Sequence, residues 1–314
     1  MGIIVMGATF VDIKGFPEDA YIPTGRNVGH VEYIHGGVAR NVVEDIANVE
    51  LRPTFLGIVD DTPMGADVLK KLRNHKVNTD YVLTRPDGMG TWLAVFDNNG
   101  DVAGSISKRP DMLPLLGLLE EKGDEIFSRA DTLVLEVDLD KDLVKKALEL
   151  CKKHRVRIVG LVSNMNIAAK RRDFLQQFDC FICNQLEAGT LFLDDYSTMT
   201  PEALCEIIAT RVPQARIPAM VVTMGEQGAV YADCHGHHGI CPARKVQVKD
   251  TTGAGDAFCA GVAIGLTYGR GFSHAIEIGA ILAASVITSS ENVCPRFQPA
   301  ELGLNVHFPA STSV

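Results

Sequence analysis

One stretch concentrates the chemistry of this chain: Asp250 to Leu266, DTTGAGDAFCAGVAIGL. Thr252-Gly253-Ala254-Gly255-Asp256 carries almost no side-chain bulk before Asp256. Backbone N–H groups there can approach a ligand closely and adopt positive φ. The apolar run that follows, Ala257 to Thr267, reads as a helix whose partially positive N-terminus faces the turn. Backbone donors and the helix dipole together make an anion site that needs no lysine. The carboxylate of Asp256 at its mouth has two readings. It caps the helix, or it is a base held beside a phosphoryl group in transfer. Two familiar glycine patterns are excluded. No GxxxxGK[ST] occurs, and in GxGxxG the third glycine would fall at Phe258.

Other candidates fall at the ends of predicted strands. Asp12 follows the apolar run Ile3 to Val11, where a strand leaves the core; it meets a ligand or serves as a turn residue. Gly36-Gly37 precedes a helical stripe of Val38, Val42, Ile46 and Val49. Asn41, in the first turn of that helix, is a poor helix former. Its amide can bond a polyol or, more locally, the backbone. Asn184 and Glu187, three apart after the strand Cys180 to Cys183, either cap the next helix or face the water shell of Mg²⁺. Thr223, Gly225 and Gly228 permit close backbone approach by a nucleotide, or form a plain turn. Cys234, His235, His237, His238 and Cys241 form the densest potential metal cluster of the chain, but they lack the spacing of a structural zinc site; they read as a hairpin tip that either binds a metal or is a solvated loop. Cys180 and Cys183 face opposite sides of a strand and read as core. Lys108 and Arg109 read as a solvated charge pair that can also reach a substrate or phosphate.

The elements that must position these residues follow from pattern. The chain has 314 residues, with 46% hydrophobic and 22% charged, as in a soluble globular protein. A net charge of −9 argues against nucleic-acid binding. No apolar run reaches membrane-spanning length. The N-terminus, MGIIVMGATFVD, lacks a basic leader and reads as a first strand. Eight irregularly spaced Cys fit reduced thiols in a cytoplasmic protein. From Thr132 onward strands and helices alternate: strands 132–137, 156–162, 180–183, 220–223, 229–232 and 246–248, with helices 143–154, 168–177, 201–211, 257–267 and 273–285 between and after them. Such βα repetition predicts a doubly wound, mostly parallel sheet with helices on both faces and ligands at the carboxyl ends of its strands. Residues 15–30 read as loop, 54–59 as a strand and 80–83 as a short strand. Asn98-Asn99-Gly100-Asp101 predicts a hairpin between 91–97 and 102–107. Segments 12–34 and 88–112 break the βα rhythm and predict a small sheet that acts as a lid over a single domain spanning 1–314.

Read together, these motifs resemble the ribokinase-like (PfkB) family of carbohydrate and nucleoside kinases over nearly the whole chain. DTTGAGDAFCAG resembles the family's C-terminal signature, the stretch from GGVARN to DDTPMG its N-terminal signature, NQLE its NxxE motif and VVTMGEQG its nucleotide-side turn. The resemblance implies an ATP-dependent kinase for a small sugar or nucleoside. Asp256 would take a proton from the acceptor hydroxyl, and the N–H groups of Gly253, Ala254 and Gly255 would hold the γ-phosphoryl group. Asn184 and Glu187 would support Mg²⁺ through water. Asp12, Gly36, Gly37 and Asn41 would bind the acceptor. Thr223, Gly225, Gly228 and Asn292 would line the ATP site. Asp250 and Thr252 match positions that carry a monovalent cation such as K⁺ in some members. GGVARN and the pair Asp111-Met112 resemble the family's pseudouridine kinases, whereas LVSNMN (161–166) departs from the usual Asp-Pro. Family members often pair through the lid, which implies a homodimer.

Overall fold

The computed structural model describes residues 2–305. The chain opens with β1 (Ile3–Met6), β2 (Phe10–Pro17), β3 (Gly29–Gly36), α1 (Val38–Asn48), β4 (Thr54–Leu56), β5 (Ile58–Val59), α2 (Pro63–Asn74) and β6 (Leu83–Thr84). The hairpin β7 (Gly90–Phe96) and β8 (Val102–Lys108) follows, then α3 (Pro114–Phe127), β9 (Thr132–Glu136), α4 (Lys141–His154) and β10 (Arg157–Leu161). Next come two single turns, α5 (Met165–Ala168) and α6 (Arg172–Leu175), before β11 (Cys180–Asn184), α7 (Gln185–Phe192), α8 (Pro201–Gln214) and β12 (Ala219–Thr223). The edge strands β13 (Ala229–Asp233) and β14 (His238–Cys241) and the helices α9 (Ala254–Thr267) and α10 (Phe272–Val286) complete it.

The main sheet has the order β14-β13-β12-β11-β10-β9-β1-β4. It is parallel except at β12–β13 and β13–β14. Its central strands are apolar on both faces because both are covered. Ile4 and Met6 of β1 enter one core, with Leu115, Leu119, Val144, Leu148 and Ile208 from α3, α4 and α8. Ile3 and Val5 enter the other, with Val42, Ile46, Val68, Ile264 and Leu282 from α1, α2, α9 and α10. Each such side chain fully buried contributes about 1.5–3 kcal/mol relative to exposure. Cys180 falls in the second core and Cys183 in the first, as their spacing predicts. Strand order turns at β1: the chain leaves it for β4 on one side and later for β9 on the other. That switch point opens a crevice at the carboxyl ends of β1 and β9.

The second, smaller sheet has the order β3-β2-β7-β8 and is built from the segments expected to form the lid. Register assigns its two faces. Asp12, Trp92 and Ser107 are aligned across β2, β7 and β8 and border the crevice. One residue further along, Tyr33, Ile13, Leu93 and Ile106 form a row on the opposite face, followed by Val31, Gly15 and Val95. Asp97 Oδ1 accepts from the N–H groups of Asn99 and Asp101 and closes the predicted hairpin. Asn98 ties that tip to the 18–28 loop through Asp19 O and Tyr21 N–H.

Several boundaries differ from the sequence reading. The run Ile3 to Val11 is broken at residues 7–9, so Asp12 lies within a lid strand rather than where a core strand exits. Most of 15–30 is loop, but its ends belong to β2 and β3. Thr54 to Val59 is divided at Gly57 between two sheets. The short strand near 80 is Leu83–Thr84. Helix α3 was hidden behind Pro114, which occupies its first turn. The 168–177 helix is two separate turns. Residues 246–248 form no strand; β14 takes that place at the sheet edge. Helix α9 begins at Ala254, not Ala257, so Asp256 lies within its first turn.

Candidate active site

Gly253 caps α9 at φ 82, left-handed backbone that few side chains tolerate. A Cβ there would also strike the Asn292 carbonyl. Asp250 Oδ1 accepts the Thr252 N–H at 2.8 Å and fixes the bend. Ala254 N–H turns back to Thr251 O at 3.3 Å. The N–H groups of Gly253, Gly255 and Asp256 have no protein acceptor among the described residues. Thus the amides free for an anion differ by one from the expected Gly253, Ala254 and Gly255: the Asp256 amide replaces that of Ala254.

Opposite this bend stand α1 and the lid. A Cβ on Gly36 would lie 2.6 Å from both Asp12 carboxylate oxygens, so a side chain there would push that carboxylate aside. Gly37 caps α1 at φ 97. Asn41 donates from Nδ2 to Asp256 Oδ2 at 2.6 Å. The walls enclose a cleft of about 320 Å³ bordered by Phe10, Asp12, Asn41, Trp92, Arg109 and Asp256. The strand ends beneath it present Glu136 and Ser163.

Carboxylates gather here. Burial raises Asp256 to about 6, aided by Asp12 and Glu187 and opposed by the Asn41 bond and by Arg40. Burial raises Glu136 to about 8, with Asp138 adding to the rise and the Ala8 N–H, at 2.6 Å, opposing it. Burial also raises Asp12 and Glu187. Arg109 reaches from the end of β8 to Asp138 Oδ2 at 2.7 Å, and Ser163 Oγ bonds the same oxygen at 2.8 Å. So Arg109 faces the cleft, while Lys108 pairs with exposed Asp87. A group of raised acids suits a cation. Yet no three His, Cys, Asp or Glu side chains among the described residues converge as direct metal ligands. A divalent cation there would be held largely through its own waters and the oxygens of a ligand.

The remaining candidates separate. Asn184 and Glu187 form a reciprocal capping box: Glu187 N–H donates to Asn184 Oδ1 at 2.9 Å, and Asn184 N–H to Glu187 Oε2 at 2.7 Å. Both nonetheless sit at the carboxyl end of β11. Thr223 is the register partner of Asn184 at the end of β12 and begins the turn containing Gly225 and Gly228. None of these five borders the first cleft, and neither does Asn292. Its Nδ2 donates to His35 O at 2.8 Å, and it borders a second cleft with Lys14, Lys71, Asp250 and Thr252. Around the 234–241 hairpin, His237 pairs with Asp233 at 2.8 Å, and among the described residues no three potential ligands gather there. All eight cysteines are free, and only Cys234 is exposed. Sequence reasoning passed over Glu136, Asp138, Ser163 and Trp92. The available signal was an acid inside the apolar run TLVLEVD.

The raised Asp256 makes a stability prediction. An unfolded aspartate titrates near ~3.9. The folded group takes up its proton at about 6. Its stabilising contribution is therefore complete below the unfolded value and is lost as pH rises through the folded one. Partial exposure to the cleft screens the effect, leaving roughly 1–2 kcal/mol. Asp256→Asn is expected to raise the urea midpoint at pH 8 and to give no gain at pH 4. A variant less stable than wild type at pH 8 would show that burial does not dominate this carboxylate.

Comparison with known proteins agrees with this architecture. The sequence model of the pfkB family carbohydrate kinases matches residues 2–294. A guanosine-inosine kinase of Exiguobacterium acetylicum is 35% identical over 295 residues, covering 92% of this chain and 95% of the relative. A pseudouridine kinase of Escherichia coli (strain K12) is 25% identical over 276 residues, covering 88% and 87%. Arabidopsis thaliana ribokinase, solved with ribose and ATP, superimposes with a TM-score of 0.80 at 18% identity over 96% of this chain and 97% of that one. That likeness concerns the fold. Among the described residues no helix is long and apolar enough to cross a membrane. The chain belongs to the pfkB family of carbohydrate kinases and is an ATP-dependent sugar or nucleoside kinase.

Proposed function

We propose that this kinase phosphorylates a hydroxyl of a nucleoside, with guanosine or inosine as the leading acceptors. One juxtaposition carries the reading: a half-buried Asp256, bonded to Asn41, beside the unpaired amides of the α9 N-terminus. In this reading Asp256 takes the acceptor's hydroxyl proton as its oxygen attacks the γ-phosphorus of ATP. Oxygen–phosphorus bond formation to the acceptor accompanies cleavage of the bond to ADP. The amides of Gly253, Gly255 and Asp256 stabilise charge on the transferring oxygens, an effect worth about 3 kcal/mol per donor in comparable sites. Asp12 and Asn41 hold the acceptor's hydroxyls against Gly36 and Gly37. Thr223, Gly225 and Gly228 receive the nucleotide. Asn184 and Glu187 hold Mg²⁺ through water; bound there, the ion neutralises phosphate charge.

Two features favour a nucleoside over a free sugar. The 35% identical relative acts on guanosine and inosine. The cleft wall also offers Phe10 and Trp92 with Arg109, surfaces suited to a planar base. Pseudouridine is the second reading, favoured by GGVARN and Asp111-Met112. K⁺ at Asp250 and Thr252 rests on the family resemblance, because Lys14 and Lys71 already face the acids of that cleft.

The lid supports pairing with a second copy. Its outer rows expose Tyr33 at 62% and Ile106 at 70%, with Val31, Leu93 and Val95 beside them, and both edge strands are open.

Three outcomes are expected. First, Asp256→Asn lowers kcat by roughly 1,000-fold or more while ATP still binds; wild-type kcat/KM falls on an acid limb near about 6. Turnover retained in the variant would remove Asp256 as the base. Second, ADP release is assayed against guanosine, inosine, pseudouridine, uridine and ribose, with Mg²⁺ or EDTA and with K⁺ or Na⁺. Guanosine and inosine should lead and EDTA should abolish turnover; ribose leading would overturn the nucleoside reading. Third, sedimentation should give a dimer that Ile106→Glu converts to monomer. A wild-type monomer at micromolar concentration would end the pairing proposal.

A further inference from the structure

Helix α1 carries a line of polar side chains where an apolar stripe would be ordinary. Arg40, Asn41, Glu44, Asp45 and Asn48 are all buried, and Arg40 is 1% exposed. A buried guanidinium is tolerated only when its donors are satisfied. Arg40 meets that demand in an ordered way. Its Nε donates to Gly36 O at 3.3 Å, its Nη1 to Glu44 Oε2 at 2.6 Å, and its Nη2 to both His35 O and Asn41 Oδ1. Glu44 is anchored in turn by Lys71 of α2 at 3.1 Å.

The bond to Asn41 Oδ1 decides which way that amide faces. An amide has one acceptor end and one donor end. With the oxygen held by Arg40, only Nδ2 can face Asp256, and it does so at 2.6 Å. The reversed amide would set its oxygen against a carboxylate. The same guanidinium holds the His35 and Gly36 carbonyls, where the backbone passes Asp12 into α1. One side chain thus ties the donor to Asp256 to the wall proposed for the acceptor.

We propose that Arg40 is a positioning residue for phosphoryl transfer: it acts through Asn41, fixing the amide so that Asp256 is held and aimed at the acceptor hydroxyl. This rests on the reading of Asp256 as the base. Titratable groups facing Asp256 come from several elements: Arg40 and Asp45 on α1, Asp12 on β2, Glu136 on β9, Glu187 on α7 and the Cys259 thiol, kept neutral by burial, on its own helix. Arg40 is the cation among them, so its loss also leaves the carboxylate easier to protonate. A purely structural Arg40 would support folding without acting through Asn41.

The test is a double-mutant cycle on the full chain, with the best acceptor from the nucleoside panel. Arg40→Lys keeps the charge but cannot reproduce the four-way grip. It should lower kcat by roughly 10- to 100-fold with KM for ATP within about twofold. In an Asn41→Ala background the same change should have almost no further effect, because the partner it works through is gone. Without the guanidinium on its oxygen the Asn41 amide can turn its donor away from Asp256, so even with the charge kept the acid limb of kcat/KM should move up by about half a pH unit in Arg40→Lys. Independent, multiplicative losses for the two substitutions would overturn the proposal, as would a reduced kcat with an unmoved acid limb. If Arg40→Lys fails to fold, Arg40→Met/Glu44→Leu replaces the buried pair with apolar volume. That variant should fold and show the same loss; near-wild-type kcat in it would equally overturn the proposal. Asp256→Asn separates the two layers. If it retains turnover, the base reading fails; if it is inactive while the cycle is additive, only the role of Arg40 fails.

Discussion

The hydrogen bond from Asn41 to Asp256 joins residues 215 positions apart, and much of the cleft's geometry can be traced to it. It ties the N-terminal turns of α1 and α9 together at the crevice. Each helix brings a glycine with positive φ at its cap, Gly37 and Gly253, so that the chain can enter without bulk. Helix packing sets the distance between them: α9 lies between α1 and α10, and its buried face is apolar along its length. Two backbone termini and one carboxylate are thereby brought to a small volume by the core rather than by a flexible loop.

Electrostatics sets the complementary constraint. Asp12, Glu136, Glu187 and Asp256 all have raised proton affinity because burial disfavours their charged forms. Three of them draw on their neighbours' negative charge as well, Glu136 on Asp138, Glu187 on Asp138 and Asp256 on Asp12 and Glu187. Arg40 and Arg109 are the guanidinium groups set among them, one behind Asn41 and one against Asp138. Such an arrangement conflicts with stability but accords with a site that receives cation and phosphate together. Asn184 and Glu187 form a capping box, so at least one acid of this group has a local structural role. The helix needs its cap, and the cap sits where β11 ends.

Much of this was legible in the sequence. Gly253 to Asp256, Gly36-Gly37 and the βα rhythm each follow from local rules, since small residues, helix entry and period-2 burial act over a few neighbours. What escaped has a common physical cause. The run from Ile3 to Val11 is uniformly apolar, so nothing local tells that Phe10 leaves the main sheet for the lid. Arg40 reads as an ordinary helix former: its four hydrogen-bond partners all lie within five residues, but its burial comes from the packing of α1 against α9, far away in the chain. Asn292 was grouped with the nucleotide turn; its partner is the His35 carbonyl, 257 residues away. Glu136 lies within an apolar strand, and only the proximity of Ala8 and Asp138 gives it a setting.

The distribution of sulfur has a practical corollary. Seven thiols are packed into the two cores or their margins, and the eighth, Cys234, projects from the tip of the β13–β14 hairpin at the sheet's outer edge. A maleimide dye applied to the unaltered chain would therefore attach at one place. The enzyme arrives with its own spectroscopic handle, set on the edge opposite β4.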